Sequence, residues 1–250
     1  MFPRYWLILG TFASIAASGT PIQFQSSDRQ AALLELYTSE GCSSCPPAES
    51  WLNGLKNDSG LWSNFVPVAF HVDYWNNLGW RDELSNRRFS DRQRDYATAW
   101  NSDTIYTPEF VLNGREWHNG FGLKGAPGLS QTTAGILKVN SEDTNHWQVS
   151  FIPAGPPATG YEMNAVLSVS GLNSNVTAGE NAGRHLRHDF AVLKLINQPL
   201  RAENGAFQTI FTMPVEPNTA QDGQALAVWV TRSGSLEPLQ AVGGWLERPK

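Results

Sequence analysis

Ala32-Leu33-Leu34-Glu35-Leu36-Tyr37, followed at once by Ser39-Glu40-Gly41-Cys42-Ser43-Ser44-Cys45-Pro46-Pro47, is the stretch that decides the fold. The first run is apolar enough for a strand. The next, Ala48 to Lys56, places Trp51, Leu52 and Leu55 at helical spacing. The chain's two cysteines therefore lie on a strand-to-helix turn, with Cys42 where a helix N-terminus presents unpaired amides. Those amides and the helix dipole favour a thiolate, the form that attacks disulfides.

Other uses of the pair are weaker. A disulfide closing so short a loop removes little unfolded-state entropy from a chain of 250 residues. A structural zinc site needs four ligands, and there is no second cysteine pair. A local disulfide and another thiol role, copper included, stay open beside redox chemistry.

Outward from this turn, Val66-Pro67-Val68-Ala69-Phe70-His71-Val72-Asp73 reads as a second buried strand. An aromatic loop, Tyr74 to Trp80, leads into the charge-dense segment Arg81 to Trp100, expected as a surface helix with its charges mostly solvated. Thr107-Pro108-Glu109-Phe110-Val111-Leu112 is a third strand entered at a proline. Asn113-Gly114 then signals a hairpin, returning through Arg115 to His118. A last helix is expected between Pro127 and Lys138.

The order strand, helix, strand, helix, strand, strand, helix is that of the minimal thioredoxin fold. Three motifs sharpen the likeness: residues 37–49 (Tyr-Thr-Ser-Glu-Gly-Cys-Ser-Ser-Cys-Pro-Pro-Ala-Glu), 70–82 (Phe-His-Val-Asp-Tyr-Trp-Asn-Asn-Leu-Gly-Trp-Arg-Asp) and 106–114 (Tyr-Thr-Pro-Glu-Phe-Val-Leu-Asn-Gly). Together they resemble the domain-of-unknown-function 1223 family, exported thioredoxin-like proteins found largely in bacteria. The resemblance covers about residues 30 to 250 and implies a fold and a location outside the cytoplasm, with no established activity. The broader thioredoxin pattern implies that Cys42 is the nucleophile and Cys45 the resolving thiol. It also implies a cis Thr107–Pro108 bond facing them, with Pro108 shaping a substrate groove and the Thr107 backbone presented to a peptide. Ser43 and Ser44 replace the Gly-Pro of thioredoxin, so neither potential nor direction carries over.

Neighbouring residues have two readings each. Glu40 and Asp73 are expected near the thiols, where carboxylates oppose thiolate formation. Asp73 is either a proton shuttle for Cys45 or a cap or salt-bridge partner. His71 is a ligand or a hydrogen-bonded core residue. Tyr74, Trp75 and Trp80 line a substrate surface or pack the core.

Beyond about residue 140 the helical pattern stops. Tyr161, Met163, Ala165, Leu167 and Val169 fall at a period of two. Further strand candidates run 146–153, 190–197, 207–213, 225–231 and 239–246, which suggests a β-sandwich packed on the first unit. The loop Gly179 to His188 is chemically rich. Glu180, His185 and His188 suggest a metal site, and a polar loop ordered against the neighbouring domain is the alternative.

The chain opens with Arg4, an apolar run from Tyr5 and small residues at Ala16 to Gly19, the layout of a secretory signal peptide too short to anchor as a span. A net charge of −5 gives no reason to expect nucleic acid.

The expected organisation is thus a signal peptide (1–19), an α/β thioredoxin-like domain (30–140) and a mostly-β, sandwich-like domain (146–248). The leading functional expectation is an exported, periplasmic or secreted thiol–disulfide oxidoreductase needing no cofactor, acting on protein or peptide thiols and disulfides. One alternative is copper handling, with Cu(I) held by the two cysteines and His71 or His118. Another is a non-catalytic interaction domain with a local disulfide.

Overall fold

The structure is a computed structural model, and it describes residues 21–118, 125–143, 145–157, 159–214 and 222–246. The expected signal peptide lies outside the described residues. Strand β1 (Ile22–Gln25) precedes β2 (Ala32–Thr38), which is buried along its whole length. Helix α1 (Cys45–Gly54) then crosses to β3 (Phe65–His71), parallel to β2 in the register Leu33↔Val66 and Tyr37↔Phe70. Parallel strands covered on both faces carry continuous apolar runs, as these two do. Pro46 and Pro47 sit in the first turn of α1, where a missing N–H breaks no intrahelical bond.

Helix α2 (Arg87–Ala99) starts six residues later than the charge pattern suggests, capped by Asn86, whose side chain accepts from the Arg88 amide. Strand β4 (Glu109–Leu112) runs antiparallel to β2. It turns through Asn113 and Gly114, both at positive φ, into β5 (Arg115–Glu116).

The second half is made of β6 (Gly135–Ser141), β7 (His146–Pro153), β8 (Tyr161–Ser170), β9 (Leu172–Asn175), β10 (His185–His188), β11 (Ala191–Glu203), β12 (Ala206–Thr212), β13 (Gly223–Arg232) and β14 (Pro238–Trp245). Strand β11 joins everything. Its start lies beside β3 at Ala191↔Ala69 and its length pairs with β8, while its end passes to β12. One path therefore runs β5-β4-β2-β3-β11-β8-β13-β14, and another leaves β11 through β12, β7 and β6 to β1.

This overturns the expected α/β thioredoxin-like domain followed by a separate sandwich. The chain is mostly β, built on one mixed twelve-stranded sheet with two α-helices among the described residues. The local order from β2 to β5 is as expected. However, the free edge of β3 is taken by β11 from the far end of the chain. The cores follow the sheet: Leu33, Val68 and Phe70 pack in one cluster with Val166, Val192, Trp229 and Ala241. The helix expected over Pro127–Lys138 is not formed, and Gly135 onward is strand. Leu137 and Val139 face a second core with Trp147, Phe151, Met163 and Val228, so their period of two outweighs any helical spacing.

α2 keeps most of its charges solvated as expected, Arg87, Arg88, Asp91, Arg94 and Asp95 being exposed, with Arg92 the exception. Arg92 is 8% exposed and grips Glu35 of β2 through two bonds, Nε to Oε2 at 2.7 Å and Nη2 to Oε1 at 2.9 Å. The hydroxyls of Tyr37 and Tyr96 donate to the same carboxylate at 2.9 and 2.6 Å. The guanidinium also lies over the Phe70, Tyr96 and Trp229 rings. A charge can be buried at this depth because every lone pair has a partner.

Candidate functional site

Cys42 and Cys45 form a disulfide, Cα to Cα 5.4 Å, at the start of α1, and neither residue has exposed surface. The Thr107–Pro108 bond is cis. The Thr107 carbonyl oxygen lies 3.7 Å from Cys42 Sγ. Ser44 Oγ stands 3.3 Å from Cys42 Sγ and 3.4 Å from the Thr107 carbonyl, so its one proton serves either acceptor. Trp75 Nε1 donates to Thr107 Oγ1 at 2.9 Å, and Gln93 donates to the Tyr106 carbonyl at 2.8 Å. Burial pushes the adjacent Glu109 carboxyl up to about 7, although it accepts a hydrogen bond from Gln93.

Of the residues singled out by sequence, Cys42, Cys45, Thr107, Pro108 and Trp75 therefore converge. Asp73 is engaged with Ser90, whose hydroxyl donates to its carboxylate and accepts from its amide. The Tyr74 hydroxyl donates to Gln93 at 3.2 Å, and Trp80 Nε1 donates to Glu40 at 2.7 Å. All three aromatic residues are only partly exposed, held in the wall rather than presented as an open patch.

A strap from the second half closes the turn. Asn181, fully buried, donates from Nδ2 to the carbonyls of Glu40 (2.8 Å) and Cys42 (2.9 Å). The Ser43 amide donates to Glu180 at 3.1 Å, and Ser43 holds that carboxyl below its usual range. Backbone meets backbone beside it: a Cβ on Gly79 would touch Gly179, and Gly179 sits at positive φ against Trp80. The expected polar loop over 179–188 is a turn only to residue 184, and His185–His188 is strand β10. The strap is the turn joining β9 to β10, antiparallel partners from His185↔Asn175 to His188↔Leu172.

Beneath the turn lies a buried cluster. His71 Nδ1 is 2.7 Å from Asp82 Oδ2, and His188 Nδ1 is 2.6 Å from Glu49 Oε2. Thr38 donates to Glu49 at 2.5 Å, and Asp82 accepts from the amides of Glu40 and Leu84 at 2.9 Å. The two imidazoles meet edge to face, centroids 5.0 Å apart. His188 Nε2 forms an ion pair with Glu40, 3.1 Å from Oε1. His71 Nε2, by contrast, has no hydrogen-bond partner.

Burial opposes charge here, and the ion pairs outweigh it. Glu40 and Glu49 push His188 up to about 10, and Asp82 raises His71. Asp82 and Glu49 are held below their usual range by their histidines.

Sequence reasoning named His71, His188 and Glu40 but missed Glu49, Asp82 and Asn181. Glu49 had a signal, since it lies four residues after Cys45 on α1. The metal reading of Glu180, His185 and His188, the alternative to a polar loop, is not assembled: His185 is exposed and bonds Asn175. His118 is an exposed residue beside Glu116, 3.3 Å away. The metal-capable group among the described residues is Glu49, His71 and His188, with neither cysteine in it.

Residues 33–231 match the family model described as "Protein of unknown function (DUF1223)". Two solved structures share the fold at low identity. Protein AGR_C_4864 from Agrobacterium tumefaciens is 19% identical, covers 88% of this chain and 96% of its own, and gives a TM-score of 0.58. HBP35 of Porphyromonas gingivalis is 15% identical over 90% of this chain and 78% of its own, with a TM-score of 0.59. Comparison with curated proteins gave no match.

Proposed function

The chain belongs to the DUF1223 family, and from that premise we propose that Cys42–Cys45 is a redox-active thiol–disulfide couple working on protein or peptide thiols outside the cytoplasm. The observation that carries this reading is the pair's setting: a disulfide at the N-terminus of α1, against the Thr107 carbonyl and beside the Ser44 hydroxyl. Export is supported by the leader-like sequence of residues 1–19.

In the reducing direction, the Cys42 thiolate attacks one sulfur of a substrate disulfide and expels the other as a thiolate. Cys45, deprotonated, then attacks Cys42 Sγ, closing the Cys42–Cys45 bond and releasing the second substrate thiolate. The protein loses the two electrons the substrate gains. In the oxidising direction the steps reverse, and a substrate thiolate attacks the Cys42–Cys45 bond. The α1 amides stabilise the Cys42 thiolate in both directions.

The zero exposure of both cysteines favours a rival, a sealed local disulfide without turnover. Under the redox reading the strap at Asn181 must release the Cys42 carbonyl for a substrate to reach the sulfur. The two readings separate on the reduction potential, measured by equilibrating the pure chain with glutathione and dithiothreitol buffers. The redox reading expects about −120 to −270 mV, and a value below about −300 mV sinks it. Cys45→Ser should in addition trap mixed disulfides through Cys42.

A further inference from the structure

We propose that His71, His188 and Glu49 form a binding site for one divalent transition-metal ion of the zinc class, buried beneath the disulfide turn. His71 has its Nδ1 fixed on the buried Asp82 carboxylate at 2.7 Å and leaves Nε2 without a hydrogen-bond partner. His188 has its Nε2 paired with Glu40 at 3.1 Å and its Nδ1 turned to Glu49 at 2.6 Å, so the donors are His71 Nε2, His188 Nδ1 and a Glu49 oxygen. An orphan such as His71 Nε2 in a protein interior needs an explanation. A carboxylate on one ring nitrogen is the arrangement that orients a histidine and leaves the other nitrogen to ligate a metal.

The geometry is close to what a metal needs. One donor atom from each of the three residues lies within 4.8 Å of the others. Bonds of about 2.0–2.2 Å to nitrogen and oxygen put tetrahedral ligands roughly 3.3–3.6 Å apart. The widest-spaced donors therefore close by about 1 Å, while His188 Nδ1 and Glu49, now 2.6 Å apart, open as the ion displaces the proton between them. Side-chain rotation about the two ring anchors supplies that.

The charge agrees. Glu40, Glu49 and Asp82 are three buried carboxylates, and no lysine or arginine among the described residues forms an ion pair with them. The two imidazoles are their only basic partners, so a dication fits the excess of acid. Two imidazoles suit zinc and its neighbours, whereas calcium and magnesium take oxygen ligands. The site differs from a thiolate copper site, since its donors come from α1, β3 and β10 and exclude the cysteines.

The test uses the full chain in its oxidised form, where the disulfided cysteines offer no thiolate. The protein is stripped with chelator, equilibrated overnight with zinc and titrated against a chromophoric competitor. We expect one zinc per chain, no competition from a large excess of magnesium, and a loss of at least tenfold in affinity for His71→Ala and His188→Ala. Asp82→Asn should weaken binding about 10- to 100-fold as a change behind the ligand, and His185→Ala should leave it unchanged. Should the histidine variants fail to fold, X-ray absorption on the zinc-loaded wild type decides alone. Imidazole scattering with light-atom ligands supports the site. Absence of stoichiometric zinc, a sulfur shell, or affinity indifferent to His71 and His188 overturns it. Because the disulfide stays closed throughout, the outcome is independent of whether the pair exchanges with substrates.

Discussion

The Glu35–Arg92 pair and the group of Glu40, Glu49 and Asp82 with His71 and His188 are both buried, both ionic and both attached to β2 or its continuation, yet they are finished differently. Around Glu35 the inventory closes: one carboxylate, one guanidinium fork and two phenol hydroxyls, with aromatic rings over the cation. Around His71 and His188 it does not, for His71 Nε2 points into the interior without a hydrogen-bond partner. A closed network fixes one packing of α2 on the sheet. An open one, placed under a disulfide and beneath a strap, has unused binding capacity. The contrast teaches that burial of charge is not by itself a sign of function, whereas an unsatisfied remainder is.

The comparison breaks most visibly at Arg92. Arg92→Met leaves Glu35 buried without its cation, and we expect a loss of about 3–5 kcal/mol in urea unfolding at pH 7. Adding Glu35→Leu should recover most of it, since an apolar replacement of a whole buried pair is often neutral. A double variant as unstable as the single one would show that the pair does more than hold α2.

The open cluster should respond less, and with pH. His188→Gln leaves Glu40 and Glu49 without their shared cation, for an expected loss of about 2–3 kcal/mol at pH 7. In the wild type His188 is raised to about 10. Its contribution is complete below the unfolded value of about 6.5 and drains away as pH rises through about 10. The urea midpoint should accordingly fall between pH 7 and 10, and fall less in His188→Gln. Parallel curves for the two proteins would place the titration elsewhere.

Asn181→Ala removes two bonds from the strap and should cost about 1–2 kcal/mol. The sharper readout is the rate at which a phosphine reduces the Cys42–Cys45 bond, expected to rise several-fold. An unchanged rate would mean that the strap does not control access.

The smallest effect is at Glu109, whose carboxyl is raised to about 7. A carboxyl raised on folding stabilises below the unfolded value of about 4.3 and loses that contribution as pH climbs through about 7. Glu109→Gln should therefore gain about 1 kcal/mol at pH 8, after allowance for solvent screening, and nothing at pH 4. Equal gains at both values would point to packing instead of charge.

Much of the turn was legible in sequence because its signals are local. The apolar run before Cys42, the prolines after Cys45, Asn113-Gly114 and the period of two from Tyr161 to Val169 each depend on neighbours within a few residues. What was not legible depends on partners far along the chain. No local signal says that Ala69 will lie beside Ala191, so the edge of β3 looked available to a separate domain. Arg92 read as a solvated charge because its partner Glu35 is 57 positions away. The cluster was half seen for the same reason: His71 and His188 stood out as histidines, but Asp82 and Glu49 are ordinary acids until the fold brings them together.

The strap also has a consequence in time. Asn181 follows Cys42 by 139 positions, and a ribosome adding about 5–20 residues each second needs roughly 7–28 s to cover that distance. For that interval the nascent segment carries both thiols without the cover it will later have. Any oxidant or other cysteine within reach meets the pair first in this open form.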